Sequence, residues 1–384
     1  MRNIIAAVVF LPVLATTLIS FQSATTTRMR HVSRRTPVQG SSRELAAERL
    51  AVPSAPRAGD LVGASANPWK LLATLPGVVI EDISFPTLLI GYAAAELGQV
   101  WKTTDGGVHW TQVMNVGFPY YWYGVKALST KDVVISGFND SSLQGVIRWS
   151  HDGGVTWTPD IVLTAAGWSG RIRFATQQNG LVLDLLSTAA ANSAHVTTDG
   201  GPGVTDWTTI VPDPNGGWFG NQFSLLSNLH VRAAGITYCG STDGGVQWKC
   251  RPSIDSIFDG AVFFLNDRYG WVGGGEISPG VEGWVHRTTD GGKTWSGRTL
   301  DNPWPIRELR FVNAKVGWAA GGNIYSNVGG IYFTSDGGQN WSLDLNTNGA
   351  EMKTCDSRSA GTTLRVVCAG YTGAFNSVVY SLRY

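Results

Sequence analysis

Thr288-Thr-Asp290-Gly-Gly292-Lys-Thr-Trp295 is one of six copies of a single pattern: Ser or Thr, any residue, Asp-Gly-Gly, two further residues, then Trp. The other aspartates are Asp105, Asp152, Asp199, Asp243 and Asp336, and in the Asp199 copy the tryptophan, Trp207, arrives three residues late. Consecutive aspartates stand 47, 47, 44, 47 and 46 residues apart. A period of roughly 40 to 50 residues with strand-like content is that of propeller blades, four strands to a blade.

The residue types explain the box. Asp-Gly-Gly makes a tight hairpin, in which the carboxylate accepts from amides one or two residues on and the glycines take positive φ. The Ser or Thr hydroxyl braces the carboxylate, and the Trp covers the turn. Six copies around a ring cannot converge on one active centre, so Asp105, Asp152, Asp199, Asp243, Asp290 and Asp336 are read as structural.

Working outward, a strand of small and apolar residues precedes each box, as in Gly91-Tyr-Ala-Ala-Ala, Gly270-Trp-Val-Gly-Gly and Gly317-Trp-Ala-Ala-Gly. A seventh, Arg365-Val-Val-Cys-Ala-Gly, has no box after it, because one more period from Asp336 falls at about residue 382, where the chain ends. At the other end Trp69-Lys-Leu-Leu-Ala-Thr-Leu resembles the strands that follow box tryptophans. The expected fold is therefore an all-β, seven-bladed propeller over residues 67–384, its ring closed by pairing of the N- and C-terminal strands, which protects the edges.

Composition agrees: 48 Gly and 16 Trp with 15% charged residues describe short strands and tight turns. Residues 1–66 hold eight of the 29 basic residues and three of the 28 acidic ones, leaving 21 basic against 25 acidic beyond. A mildly acidic body argues against a nucleic-acid partner. Residues 1–24 read as a secretory signal, with a basic start, an apolar run and small residues near Ala24; a membrane anchor is the alternative, although the run is short and contains Pro12. Residues 25–66 read as a disordered linker or propeptide. The expectation is a secreted, extracytoplasmic monomer with no membrane span after signal removal.

Four cysteines fall in two close pairs. Cys239 and Cys250 flank the fourth box on its two strands, and Cys355 and Cys368 lie on the first two strands of the last blade, so both pairs read as cross-strand disulfides. Two pairs of buried free thiols are the alternative. Neither pair has zinc-ligand spacing, and no metal or cofactor is expected.

The boxes resemble those of sialidases, sortilin-type receptors and oligoxyloglucan-hydrolysing propellers. The fuller unit is a Phe-containing first strand, then Gly-Trp-x-x-Gly, then the box. It runs from Val262-Phe-Phe through Gly270 to Asp290, and from Phe311-Val-Asn through Gly317 to Asp336. This unit looks most like the photosystem II assembly and stability-factor propellers, a resemblance that covers roughly residues 67–384. It implies a seven-bladed fold and a non-enzymatic, partner-binding role. The Arg-Ile-Pro tripeptide of sialidases does not occur.

Propeller ligands gather where the last strand of one blade hands over to the first strand of the next. Those loops are aromatic: Phe118-Pro-Tyr120-Tyr121-Trp122-Tyr123, Trp168, Trp218-Phe219, Phe258 and Trp304. Tyr120, Tyr121, Trp122, Trp168, Trp218, Phe219, Phe258 and Trp304 are the candidate ligand contacts for a glycan or a protein, with Tyr120, Tyr121, Trp122 and Trp218 expected to be the most exposed. The competing reading has these rings capping the core between blades.

Hydrolysis would instead need two carboxylates facing each other roughly 5 to 10 Å apart. Glu81, Asp82, Asp255, Asp259, Glu308 and Glu351 stand at the starts of first strands, with Asp82 and Asp259 the candidate catalytic pair of a glycoside hydrolase. Arg171, Arg173 and Arg307 share such positions and are read as solvated or ion-paired rather than as an anion site. Asn139 and Asn340 begin sequons. The leading reading is a non-enzymatic propeller that binds a glycan or protein through its aromatic face, with a glycoside hydrolase or an assembly scaffold for a membrane complex as alternatives.

Overall fold

A computed structural model describes residues 69–164, 167–187, 193–212, 219–235, 237–252, 259–275, 283–300 and 304–384. The expected signal and linker, residues 1–66, lie outside the described residues. Within them are 28 strands, numbered β1 to β28 along the chain, in seven four-stranded antiparallel sheets. Six blades are simple meanders spanning residues 80–115, 120–164, 167–210, 219–252, 259–299 and 306–346.

The seventh blade takes three strands from residues 350–383 and its outer one from β1 (Lys70–Leu75). Lys70 pairs with Ser381 and Leu75 with Ser377, and the Trp69 indole donates to Asp344 of the sixth blade at 2.8 Å. Ring closure by the chain's two ends is as expected.

The first strand of each blade is the innermost. These are β2 (Ile80–Ser84), β6 (Tyr120–Ala127), β10 (Gly167–Phe174), β14 (Phe219–Leu225), β18 (Asp259–Phe264), β22 (Ile306–Phe311) and β26 (Ala350–Ala360), each packed against the next around the axis. A meander puts the handover loops and the second-to-third-strand hairpins at one end of the channel, and the boxes at the other.

The repeat unit is an interlocking set of contacts. In the box at Asp290, the Thr288 hydroxyl donates to the carboxylate at 2.8 Å and accepts from Gly292 N at 2.8 Å. The carboxylate accepts from Lys293 N and Thr294 N, three and four residues on, and the Trp295 indole donates to Gly292 O. The expectation of amides one or two residues on holds only at Asp199, which accepts from Gly201 N. There the three extra residues form a short 3-10 turn, Val204–Asp206, and Trp207 still reaches Gly201 O at 3.0 Å.

The first-strand phenylalanines Phe85, Phe174, Phe264 and Phe311 each meet a box tryptophan edge to face, as Phe311 meets Trp341 at 5.9 Å between centroids. The strand-two glycines Gly270 and Gly317 lie under Phe264 and Phe311 so closely that any Cβ would collide with the ring, which is why the motif begins with Gly. Blades are then joined through the boxes: Trp271 donates to Gly337 O of the next blade at 2.8 Å, Trp149 to Gly201 O and Tyr92 to Gly153 O. Both disulfides are formed, Cys239–Cys250 and Cys355–Cys368, each joining directly paired strand residues.

Candidate functional site

All seven inner strands carry a bulge near the handover end. The registers shift between Ile80 and Asp82, Trp122 and Gly124, Ser169 and Ile172, Phe219 and Phe223, Asp259 and Ala261, Ile306 and Glu308, and Met352 and Thr354. An extra residue re-aims a side chain and tightens local twist. In five blades the inserted residues include Glu81, Tyr123, Arg171, Arg307 and Lys353, so a ring of polar side chains surrounds one end of the channel.

Arg171 lies at the centre of this ring. Its buried guanidinium donates to Glu308 at 2.6 Å, to Lys353 O at 2.7 Å and to Glu81 O at 3.3 Å, tying the third, sixth, seventh and first blades together. Gln222 of the fourth blade donates to the same Glu308 oxygen at 3.0 Å. Below it Asp82, fully buried, accepts from Arg173 at 2.9 Å, Thr354 at 3.0 Å and Val125 N at 3.1 Å. Burial alone would raise the Asp82 pKa, but Arg173 and then Arg171 hold it below the ordinary carboxylate range. At the mouth, Arg307 meets Glu351 at 2.7 Å and Lys353 lies 3.7 Å from Glu81. Glu96, on the hairpin beside them, is pushed up to about 7, first by burial and then by the Glu81 charge.

Four of the six named carboxylates converge on the channel. Asp82, Glu81, Glu308 and Glu351 all line it, and each is engaged by a cation. Asp82 is ion-paired with Arg173 and Arg171. The Asp259 side chain and the whole of Asp255 lie outside the described residues. Arg171, Arg173 and Arg307 are ion-paired, as read from the sequence. Among the described residues no group of three potential metal ligands comes together.

The aromatic face needs correction. Trp122, expected to be exposed, is fully buried in the core between the first and second blades, and Trp304 is buried against Tyr332. The β period decides this: alternate residues of an inner strand point into the sheet-sheet contact, and Trp122 occupies that parity. Trp168 is half-buried in a stack with Tyr123 and Phe138. Tyr120, also half-buried, donates to Asp160 at 2.7 Å and lies under Arg148; Tyr121 is half-buried beside it. Trp218 and Phe258 fall outside the described residues, as does the Phe219 side chain.

Sequence reasoning missed what replaces them. Among the described residues, Leu97, Leu143, Phe375 and Tyr325 stand exposed at the tips of the second-to-third-strand hairpins of the neighbouring blades 1, 2, 7 and 6, on the handover face, where Phe118 is exposed too. Leu97, Leu143 and Phe375 have φ of 55, 56 and 57°. A left-handed conformation costs a bulky residue about 1 kcal/mol, and water gains nothing from an apolar side chain held there. The signal was present in the repeat: these residues occupy corresponding turns of aligned units.

A seven-bladed ring whose neighbouring blades bond through Asp-box turns, with an ion-pair network in the channel and exposed apolar residues at hairpin tips on one face, defines the class: an Asp-box propeller. Residues 228–379 match the family model described as photosynthesis system II assembly factor YCF48. Among solved structures the chain is similar to "YCF48 bound to D1 peptide", with 19% identity, a TM-score of 0.62, and coverage of 82% of this chain and 97% of that one. It is similar also to YCF48 from Cyanidioschyzon merolae, with 18% identity, a TM-score of 0.60, and coverage of 82% and 98%. The WD40 propeller of Doa1 shares the fold at 12% identity, with a TM-score of 0.57 and coverage of 82% and 97%. No curated protein sequence matches. The likeness to the photosystem II assembly-factor propellers read from the repeat unit is thereby borne out.

Proposed function

We propose that this protein is an assembly scaffold that holds a segment of a partner protein on the channel-mouth face. The carrying observation is the group of Leu97, Leu143, Phe375 and Tyr325, solvent-facing apolar side chains that three strained turns hold on the same face as the charged centre. Apolar anchors around paired charges are the composition of a protein-recognition surface. A relative of the same fold, solved with a D1 peptide, supports a protein partner as the class of ligand.

The glycan reading has less behind it, because Trp122 and Trp304 are buried and so offer no stacking platform. We place the protein outside the cytoplasm, in keeping with two disulfides in strand-paired geometry. A photo-crosslinking residue placed at Leu97 or Phe375 in the native host tests the scaffold: one recurrent protein adduct is expected, absent from the same residue placed at Val155 on the opposite face. Equal adducts from both faces, or saturable binding of a soluble glycan with no protein adduct, would reject it.

A further inference from the structure

At the box end, opposite the mouth, the seam between the first and last blades opens into a pocket of about 550 Å³. Leu88, Leu89, Ile90 and Ala360 line it together with Arg365 and Arg383, and three threonines, Thr87, Thr104 and Thr363, complete the lining. Arg365 and Arg383 are cross-strand partners in the seventh blade, and Arg358 pairs with Arg365 in the same row, so three guanidinium groups stand on one face of the sheet. Like charges directly opposite each other across strands repel.

The first two are occupied, Arg358 on Phe85 O and Arg365 on Leu88 O and Ser381 Oγ. The Arg383 side chain is solvent-exposed and has no hydrogen-bond or ion-pair partner among the described residues. Burial and the Arg383 charge both depress the Arg365 pKa, with only Asp105 opposing them. The Asp105 carboxylate is already taken up by Thr103, Val108 N and His109.

The backbone of the Leu88–Ile90 wall is largely taken up, and besides the arginines only the hydroxyls of Thr87, Thr104 and Thr363 bring polarity to the lining. Leu88 O accepts from Arg365, Leu89 O accepts from Gly106 N, and the amides of Leu89 and Ile90 both donate to Thr87 Oγ1. A peptide laid on it would bury amides without partners, at about 1–3 kcal/mol each. A ligand whose polarity is confined to one anionic head meets no such cost, and its head would relieve the repulsion between the arginines.

We propose that this pocket binds the carboxylate of a single-chain fatty acid, its head between Arg365 and Arg383 and its chain along Leu88, Leu89 and Ile90. The volume is within the range of small-ligand sites, roughly 300–1,000 Å³.

Isothermal titration of the full chain with decanoate, alongside decanol, tests it. Saturable binding of decanoate is expected, at least tenfold tighter than decanol, weakened at least tenfold by Arg383→Gln and abolished by Ala360→Trp, which fills the pocket. Arg383 has no structural partner to lose, so its variant keeps the wild-type melting temperature. Decanol binding as tightly as decanoate, an unchanged affinity in Arg383→Gln, or no saturable binding would overturn the assignment. The pocket and the mouth face opposite ways, so Arg383→Gln leaves crosslinking from Leu97 intact, and the two readings fail independently.

Discussion

Arg171 on the third blade meets Glu308 on the sixth at 2.6 Å inside the channel, with both side chains almost wholly removed from solvent. An ion pair so placed fixes the spacing of blades that share no strand pairing. Removing one member leaves the other charge buried and alone. Arg171→Met is expected to lower the unfolding free energy by about 3–5 kcal/mol, and Arg171→Met with Glu308→Gln to recover much of that loss. Urea unfolding of the single and double variants checks the coupling.

Closure of the ring rests on a strand from the other end of the described chain. Trp69 is buried in the seam of the sixth and seventh blades and donates to Asp344, whose pKa burial raises and that indole bond lowers. Trp69→Ala is expected to cost about 3–5 kcal/mol, while Trp69→Phe, which keeps most of the area, costs less. Thermal melts of both variants separate the packing share from the hydrogen bond.

Each box couples an inner hydroxyl to an outer carboxylate. Thr288→Val keeps the shape but strips the buried Gly292 amide of its acceptor, and a loss of about 1–3 kcal/mol is expected. The carboxylates titrate below their unfolded values: Asp152 is lowered to about 2 by the Thr156 hydroxyl and amide. Their contribution is complete above about pH 4 and is lost as pH falls toward 2. Acid unfolding followed by near-ultraviolet circular dichroism should locate the midpoint in that window, shifted upward in Asp243→Asn.

Glu96 behaves in the opposite sense. Its folded pKa is raised to about 7 from the ordinary 4.5, so between those values the folded state keeps a proton that the unfolded state has released. Stability falls as pH rises across the window. Glu96→Gln is expected to be the more stable protein at pH 8, by on the order of 1 kcal/mol, and to match the parent at pH 4. Melting temperatures measured from pH 4 to 8 test the sign.

The disulfides close short hairpins, with sequence separations of 11 and 13 residues. Replacing both Cys355 and Cys368 by Ala is expected to destabilise by about 2–3 kcal/mol, read as a drop in the urea midpoint.

Much of this was legible in the residues. Six boxes at a steady spacing counted the blades, the missing seventh box located the joint at Trp69, and cysteine positions on paired strands gave both bridges. Those inferences depend on local chemistry: a hairpin needs its glycines and its bracing hydroxyl wherever it occurs. The three extra residues before Trp207 were visible too, though not the 3-10 turn that absorbs them.

The candidate site was read less well. Trp122 and Tyr121 are neighbours in one aromatic run, yet strand parity buries the first and leaves the second half-exposed. A bulge then breaks that parity at Tyr123, and no residue in the sequence announces it.

The sequence alone determined how many sheets there are, how each turn is held and where the ring joins, because each depends on residues within a few positions of one another along the chain or on the count of repeats. The tertiary structure alone decided that Arg171 finds Glu308 and that Arg383 is left facing Arg365 over an apolar seam. Those are meetings between distant blades, fixed by the closure of seven twisted sheets about one axis and by bulges that turn single side chains toward it.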